Sequence, residues 1–311
     1  MICRTADAVR VHYCDQHEIP LPAAHRFPIQ KYRLIRERLE KTRLFDLCPA
    51  PFAPVCAIQL AHDPEYVSCF LDGTIPPASM RRIGFPWSQG LVDRTLASVG
   101  STLNSARVAL ERGIAGGLSG GTHHAFRGEG AGFCVFNDIA VAIYALRREG
   151  VISRAAVIDL DVHQGDGTAA IFFADPDVLT FSMHGVKNFP FRKQAGDIDI
   201  ELEDGAEDRE YLARLCETLP RIWAVRPDIV FFQAGVDALA TDKLGRLSLS
   251  QEGMRNRDQL VISQARDQGV PLVITLGGGY SEPIEATVDA HAATFLTAAQ
   301  IFSGGRRTNS G

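Results

Sequence analysis

The sequence lacks several features that mark whole classes of protein. No apolar run is long enough to cross a bilayer, and residues 1–7 carry charges where a signal peptide needs an apolar stretch. No block of lysine and arginine indicates a nucleic-acid surface, and the formal net charge is -5. No C-x-x-C pair occurs among the seven cysteines, which favours free thiols in a reducing compartment. We therefore expect a cytoplasmic protein without membrane or nucleic-acid partners.

The chain contains enough hydrophobic residues to form a large core. Hydrophobic residues make up 46% of its 311 residues and charged residues 22%, as in ordinary globular proteins. In the second half of the chain, apolar strand segments alternate with segments of helical periodicity. This alternation predicts βαβ units and a mainly parallel sheet with helices on both faces. The expected fold class is α/β, in a single domain over residues 1–303 with a disordered tail at residues 304–311.

Prolines interrupt the predicted elements at several places. The proline-rich segments at residues 49–54 and 73–90 predict irregular structure, the second as part of a rim around a site. Pro220 is expected to interrupt or end a helix over residues 208–225. Ser250 is expected to cap the helix that follows it.

The most informative stretch is residues 157–168, Val-Ile-Asp-Leu-Asp-Val-His-Gln-Gly-Asp-Gly-Thr, an apolar strand followed by a glycine-rich turn and a short helix. Asp159, Asp161 and His163 stand two apart, so an extended backbone places them on one side. Buried carboxylates must be paired or bind a cation, and carboxylate with imidazole suits a divalent transition metal, commonly zinc. The alternative is a strand end whose aspartates cap the next helix and whose histidine is exposed.

Further polar residues follow the ends of other predicted strands. Asp237 ends one of these strands, and the last strand runs into three glycines and Tyr280. A short strand runs into a glycine turn that carries the adjacent histidines His123 and His124. In isolation such a histidine pair is more often a surface feature. In an open α/β sheet, however, ligands bind beyond the carboxyl ends of the strands, where all these residues fall.

Taken in order, these motifs resemble the histone deacetylase superfamily, which includes lysine deacetylases, acetylpolyamine amidohydrolases and bacterial relatives on the arginase-like fold. The segments that carry the resemblance are Gly120-Gly-Thr-His-His-Ala125, Gly132-Phe-Cys-Val-Phe-Asn-Asp138, residues 159–168, Gln233-Ala-Gly-Val-Asp237 with Asp242-Lys-Leu-Gly-Arg-Leu247, and Leu276-Gly-Gly-Gly-Tyr280. The compact loops look closest to class IV-type members and to bacterial histone deacetylase-like amidohydrolases.

The resemblance implies a metal-dependent amidohydrolase. Its pattern makes Asp161, His163 and Asp237 the ligands of Zn²⁺, with Fe²⁺ as the other candidate. Three protein ligands leave positions open for water and a substrate carbonyl, as in catalytic rather than structural sites. Relatives also hold a monovalent cation such as K⁺, for which Ser182 and the backbone around Asp159 are the candidates.

The resemblance also implies the proton-transfer residues. His124 would be the general base and then the acid that protonates the leaving amine, while His123 would tune the proton inventory. Asp166 would pair with His124 and Asp159 with His123, which fixes the histidine tautomers. Tyr280 would donate its hydroxyl to the substrate carbonyl and stabilise the oxyanion.

The same pattern assigns the substrate-binding residues. Phe133 and Phe189 would form the walls of a narrow tunnel around an aliphatic lysine stem, and Gly132 would leave room for the amide. Asp242 is expected to have a structural role in its loop. Thr122 stands where many relatives have a bulkier residue, and the loop around Phe189 differs from that of the larger deacetylases.

The predicted reaction removes an acetyl or longer acyl group from Nε-acyl-lysine in a peptide or protein. A small-molecule deacetylase acting on acetylpolyamines or another small acetylated amine is the alternative. An arginase-type dinuclear manganese hydrolase would need further aspartate ligands, and Gln164 rather than an acid follows His163. A silent acyl-lysine binding module would not need the complete set of metal and proton-transfer residues. The sequence leaves the oligomeric state open.

Overall fold

The computed structural model describes residues 8–303, which fold around one eight-stranded sheet with the strand order β2-β1-β3-β8-β7-β4-β5-β6. Every strand pair in this sheet is parallel. The strands are β1 (Val9–Tyr13), β2 (Phe45–Pro49), β3 (Ile114–Gly117), β4 (Ala155–Asp159), β5 (Val178–Gly185), β6 (Ile198–Leu202), β7 (Ile229–Gln233) and β8 (Leu272–Thr275). The predicted α/β class with a parallel sheet is confirmed.

The central strands are buried on both faces, which explains why their sequences are almost continuously apolar. Because side chains alternate along a strand, Val157 of β4 and Phe231 of β7 join one hydrophobic core. Their neighbours Ile158 and Phe232 join the other core on the opposite face. A sheet with two apolar faces must be covered by helices on both sides.

Helices provide that cover. One layer, with α1, α8, α9 and α10, packs on the Ile158 side, and another, with α2, α3, α5 and α6, packs on the Val157 side. The helices are α1 (Gln30–Glu40), α2 (Val55–Ala61), α3 (Pro64–Leu71), α4 (Pro77–Ile83), α5 (Gln89–Arg112), α6 (Asp138–Arg148), α7 (Asp166–Phe172), α8 (Asp208–Ala224), α9 (Gln251–Asp267) and α10 (Glu285–Ser303). None of the helices in the described part of the chain has the length and apolarity needed to cross a membrane.

Helices α6 and α9 are among those that begin at side chains that accept backbone hydrogen bonds. Ser250 Oγ accepts from the Gly253 N–H at 2.9 Å, so the predicted cap of α9 is confirmed. Asn137 Oδ1 accepts from the Ala140 N–H at 2.9 Å and starts α6. Because Asn137 lies in one of the motifs, the start of α6 becomes part of the support for the site.

The proline-rich segments are more ordered than predicted. α2 begins directly after Pro54, and α4 begins at Pro77 within the segment 73–90. Proline is tolerated in the first turn of a helix because its missing N–H would have no partner there, so these prolines start helices. The expectation of irregular structure was therefore wrong for α4.

The second half of the chain departs from the predictions at two places. Helix α8 is not ended by Pro220 but continues to Ala224, and the buried side chains of Leu219 and Ile222 hold this turn against the core. Strand β6 was missed because it is an edge strand with acidic residues between its apolar ones. The predicted tail at residues 304–311 lies outside the described residues.

Candidate active site

The candidate metal ligands lie just beyond the ends of two neighbouring strands. β4 ends at Asp159, so Asp161 and His163 lie in the following loop and not on the strand itself, which corrects the predicted extended arrangement. β4 and β7 are paired so that Asp159 lies beside Gln233. This pairing brings the loop after β7, which carries Asp237, against the loop after β4.

Both candidate carboxylate ligands accept backbone hydrogen bonds, and one oxygen of each lies close to His163 Nδ1. The Gly278 N–H donates to Asp161 Oδ2 at 2.6 Å, and the Val162 N–H donates to Asp237 Oδ1 at 2.9 Å. The remaining oxygens, Asp161 Oδ1 and Asp237 Oδ2, each lie 3.0 Å from His163 Nδ1. One potential ligand atom from each of the three residues lies within 4.8 Å of the others.

Glycines allow the backbones to approach the carboxylates this closely. A Cβ atom on Gly278 would lie 1.9 Å from Asp237 Oδ2, and one on Gly235 would lie 2.4 Å from Asp161 Oδ2. Both distances are far below van der Waals contact, so any larger residue at either position would displace a candidate ligand.

Burial makes this cluster suited to a cation. Asp161 and Asp237 are 1% and 0% exposed, and neither forms an ion pair with a lysine or arginine within residues 8–303. Burial and the neighbouring Asp161 carboxylate raise the pKa of Asp237 to about 7, because two such charges repel each other away from water. Two carboxylate oxygens and one imidazole nitrogen are a donor set that fits Zn²⁺ or Fe²⁺.

The adjacent histidines are oriented by two separate carboxylates. His123 Nδ1 lies 2.7 Å from Asp159 Oδ2, and His124 Nδ1 lies 2.7 Å from Asp166 Oδ1. All four residues are buried. Because a carboxylate can only accept, each Nδ1–H donates to it and each Nε2 is left for another partner. The pairs expected from the resemblance are thus brought together, and their catalytic roles stay predictions.

The surroundings shift the pKa values of the two histidines in opposite directions. Burial lowers the pKa of His124 to about 4, and the neighbouring His123 acts in the same direction. Burial opposes a charge on His123 as well, but the carboxylates of Asp159, Asp161 and Asp166 together outweigh burial and raise the pKa of His123 to about 9. Near neutral pH, His124 is therefore a free base, which is the form that a general base requires.

Tyr280 is held in position through its backbone. Its N–H donates to Asp242 Oδ2 at 2.6 Å, while Asp242 Oδ1 accepts from the N–H groups of Leu244 and Gly245. Asp242 therefore ties two loops together, which is the structural role expected for it. Burial raises the pKa of the Tyr280 phenol well above its ordinary value, so the hydroxyl keeps its proton and remains a hydrogen-bond donor.

Lys31 supports the same turn and was missed in the sequence. Its side chain is fully buried, and Nζ donates to the carbonyl oxygens of Gly277 at 3.2 Å and Gly279 at 3.4 Å. The same ammonium lies 5.3 Å from the centre of the Tyr280 ring. Burial lowers its pKa to about 8. In the sequence, Lys31 stands beside the apolar stripe of a helix, and nothing there distinguishes it from a surface lysine.

Arg257 of α9 fixes both ligand-bearing loops and was also missed. Its fully buried guanidinium donates to the carbonyl oxygens of Gly235 at 2.5 Å and Leu160 at 3.3 Å. Leu160 directly precedes Asp161, and Gly235 lies two residues before Asp237. One side chain therefore sets the spacing of the two loops that carry the carboxylates.

Asp138, at the end of the Gly132 motif, anchors the histidine turn. Asp138 Oδ1 accepts from the Thr122 N–H at 2.7 Å, and its Oδ2 accepts from the Gly121 N–H at 3.0 Å and the Thr102 hydroxyl at 2.5 Å. The Thr122 hydroxyl lies 2.6 Å from Asp138 Oδ1. Thr122 is thus part of this network, which ties the turn before the histidines to α5 and α6.

The predicted substrate-binding residues line a cavity of about 500 Å³ that also contains the candidate ligands, both histidines and Tyr280. Gly132, Phe133 and Phe189 are all in its walls. A Cβ on Gly132 would lie 2.7 Å from His124 Cδ2, so the glycine leaves space for the histidine ring. Phe189 packs edge-on against His124, with ring centres 4.8 Å apart. The cavity therefore has aromatic walls beside the histidine pair.

The expected monovalent cation has a candidate place behind β4. A small cavity there is lined by Asp159, Ser182, Thr180 and Asp199, among others. Ser182 Oγ lies 2.9 Å from His184 Nδ1. The binding of K⁺ at this place stays a prediction.

Comparison with known proteins decides the family. A family profile described as "Histone deacetylase domain" matches residues 25–296. The chain belongs to the histone deacetylase domain family. The resemblance noted from the motifs is thereby confirmed. Membership supports deacetylase or amidohydrolase activity, and the general metal dependence of histone deacetylases accords with the candidate triad.

Several known proteins are similar in sequence to this chain. An uncharacterized protein of Picosynechococcus sp. is 42% identical over 94% of this chain and 99% of its own length. Histone deacetylase 2 of Arabidopsis thaliana is 38% identical over 58% of this chain and 48% of its own length. The histone deacetylase-like amidohydrolase of Pseudomonas aeruginosa is 34% identical over 51% and 46%, respectively. The chain thus spans about half the length of these last two relatives.

A solved structure shows the same fold. The crystal structure of the HDA15 HD domain superposes with a TM-score of 0.78 and covers 98% of this chain and 91% of that chain. The sequence identity is 20%, so the likeness concerns the fold alone. It agrees with the single α/β domain built on the parallel sheet.

Proposed function

We propose that this protein is a metal-dependent amidohydrolase that removes an acetyl or longer acyl group from Nε-acyl-lysine in a peptide or protein. The observation that carries the proposal is one cavity holding three candidate ligands, an oriented histidine pair and Tyr280. Amide hydrolysis needs an activated water, a proton donor for the leaving amine and a donor to the oxyanion. The cavity contains a candidate for each.

The proton-transfer steps belong to the histidine pair. A divalent metal held by Asp161, His163 and Asp237, with Zn²⁺ as the first candidate and Fe²⁺ as the second, would supply Lewis acidity to water and the amide carbonyl. His124 Nε2 takes a proton from the water, since its Nδ1 is committed to a carboxylate. His124 then gives this proton to the departing lysine amine, and the positive charge on His123 favours that release.

The remaining residues orient the substrate and receive the charge that develops. The Tyr280 hydroxyl donates to the carbonyl oxygen as negative charge grows on it, which lowers the barrier more than it strengthens substrate binding. Phe133 and Phe189 enclose the aliphatic lysine stem and exclude water from it. Gly132 leaves space for the His124 ring, and we propose that it also leaves room for the amide.

The charges of the cavity lining favour acyl-lysine over acetylpolyamines. Five exposed arginine and lysine side chains line the cavity, and the acids of the lining are Asp161 and Asp237, which are buried. A polyamine carries positive charge and would be repelled by such an opening. We propose further that the enzyme acts in the cytoplasm as one catalytic domain, in keeping with the free cysteines among the described residues.

A substrate panel tests the proposed reaction. The metal-loaded protein is assayed on peptides carrying acetyl- to myristoyl-lysine and on acetylputrescine and acetylspermidine. We expect turnover of the acyl-lysine peptides. Far faster turnover of either acetylpolyamine would contradict the proposed substrate class.

Metal analysis tests the ligand assignment independently of activity. The purified protein is expected to hold about one divalent ion per chain, and Asp161→Ala and His163→Ala are expected to lose it. Asp289→Ala, at a half-exposed surface aspartate paired with Arg38, is the matched control and should keep full occupancy. If both ligand variants keep their metal, the assignment is wrong.

A further inference from the structure

The mouth of the catalytic cavity is positively charged although the chain as a whole is acidic. The exposed basic residues of the cavity lining, called here the cationic rim, are Arg26, Arg81, Arg82, Lys187 and Arg246. The formal net charge of the chain is -5. Since the acids in the same lining are buried candidate metal ligands, the exposed charges of the lining itself are all positive.

Part of this charge is balanced by acids that lie outside the lining. Arg82 pairs with Glu129 at 2.7 Å, and Arg246 pairs with Asp204 at 3.2 Å. Lys187 lies 3.6 Å from Glu203 and 3.7 Å from Asp204. These pairs are exposed, with side-chain accessibilities between 33% and 79%. Exposed pairs contribute little free energy, so a carboxylate of a substrate can compete for these cations.

Two cations of the rim have no acidic partner in residues 8–303. Arg81 forms no ion pair there, and neither does Arg26. The guanidinium of Arg26 instead lies over the ring of Phe133, with its central carbon 5.2 Å from the ring centre. Because Phe133 forms a wall of the proposed lysine tunnel, this guanidinium stands beside the point where the acylated side chain enters.

We propose that the cationic rim selects acyl-lysine substrates that carry a carboxylate close to the acylated side chain. This inference rests on the proposed function and names its substrate class more closely. A guanidinium presents a planar pair of donors that matches a carboxylate, and the guanidinium of Arg26 lies over the ring of Phe133. An excess of positive charge at a concave opening also concentrates oppositely charged substrates and speeds their association. Acidic neighbours in the peptide, or the free carboxylate of acyl-lysine itself, provide such a group.

Peptides that differ only in their flanking charge test the inference. Acetyl-lysine peptides flanked by Asp and Glu, by Gly and Ser, and by Lys and Arg are compared at about 0.01 M and about 1 M salt. We expect kcat/KM at low salt to be about tenfold or more higher for the acidic than for the basic peptide, mainly through KM. High salt should remove most of the difference, because it screens exposed charges.

Substitutions in the cationic rim test whether the rim causes the preference for acidic peptides. Arg26→Gln combined with Arg81→Gln should reduce the ratio of kcat/KM between acidic and basic peptides, and Arg81→Glu should reduce it further. Arg221→Gln is the matched control, because this exposed arginine lies in the last turn of α8, away from the cavity lining. It should leave the ratio unchanged.

The outcomes separate this inference from the function on which it rests. If the three peptides are turned over with equal kcat/KM at low salt, and Nε-acetyl-lysine no faster than its carboxamide, carboxylate selection is overturned while the deacetylase function stands. If only free Nε-acetyl-lysine is preferred, the rim recognises the α-carboxylate of the acylated lysine itself. If acidic peptides are preferred, the rim recognises the carboxylates of flanking residues. If no acyl-lysine compound is turned over, the proposed function fails first.

Discussion

Tyr280 contributes one hydroxyl to the cavity from a turn that neighbouring side chains hold in place. Since the oxyanion forms only as the amide carbon is attacked, this donor is expected to act on the chemical step. We predict that Tyr280→Phe lowers kcat by roughly 10²–10³-fold with little change in substrate affinity. Single-turnover kinetics on protein with verified metal content measure this step directly. A chemical step near the wild-type rate would remove the oxyanion role.

The two histidines should respond differently to substitution, since only His124 is a free base near neutral pH. His124→Ala is expected to lower kcat at least as much as the loss of Tyr280 does, because both proton transfers pass through it. His123→Ala should cost less, as its charge only assists its neighbour. Both variants should keep their metal, which elemental analysis checks. A larger loss for His123→Ala would mean that the two roles are reversed.

Lys31 permits a test of how the Tyr280 turn is held. Lys31→Met keeps the length and apolar stem but removes the donors to the two glycine carbonyls. We expect kcat to fall while KM and metal content change little, because Tyr280 loses its orientation but the ligands do not. Lys31→Arg, which keeps both donors and the charge, is the matched variant and should restore most of the rate. Equal losses in the two variants would argue that Lys31 acts only through packing.

The N-terminus of helix α6 is held by the buried histidine His62, which is neutral. His62 Nε2 accepts from the Asn137 N–H at 2.8 Å, and its Nδ1–H donates to the Phe126 carbonyl at 2.9 Å. Burial lowers the pKa of His62 from 6.5 to about 4. Between these two values, the unfolded chain takes up a proton that the folded chain does not. The free energy of unfolding is therefore highest above pH 6.5 and falls as the pH drops towards 4.

This linkage predicts the behaviour of a His62→Gln variant. Glutamine can donate to Phe126 and accept from Asn137 but does not titrate, so unfolding free energy should fall less steeply with acid than in the wild type. In the wild type, His62 alone contributes a slope of about 1.4 kcal/mol per pH unit to the free energy of unfolding. Urea unfolding at several pH values measures it. Burial also lowers the pKa of His12 to about 4, so the variant should still show part of the pH dependence of the unfolding free energy. Identical slopes in both proteins would contradict a neutral buried His62.

The elements around β4 were predictable because several signals coincide there. An apolar strand, polar residues at alternate positions and a glycine-rich turn all point to one strand–loop–helix unit, which β4 and α7 form. Helices α2 and α4 were harder, since proline ends some elements and starts others, and only the tertiary contacts decide which. Lys31 and Arg257 were not predictable at all. Each is a charged residue on an amphipathic helix, and its burial follows only from where the glycine loops come to lie.

At the scale of the whole molecule, a metal would join loops that follow two separate strands. Without it, the buried carboxylates of Asp161 and Asp237 face one imidazole and repel each other. We predict that a chelator lowers the thermal unfolding midpoint by several degrees, since a ligand at about 1,000 times its Kd stabilises the native state by about 4 kcal/mol. Scanning calorimetry checks this. Asp237→Asn is the control and should respond far less to chelator or added metal.

The order in which the chain is synthesised has a consequence for metal loading. The β3–β8 pair joins residues as far apart as Ile114 and Leu272, and Gly278, which fixes Asp161, comes later still. A nascent chain that has already exposed Asp161 and His163 therefore lacks the partner strand and the amide that shape their site. We therefore expect the ion to bind only after Gly278 has been synthesised and the strand pair β3–β8 has formed. Metal occupancy would then report that these distant parts of the sheet have come together.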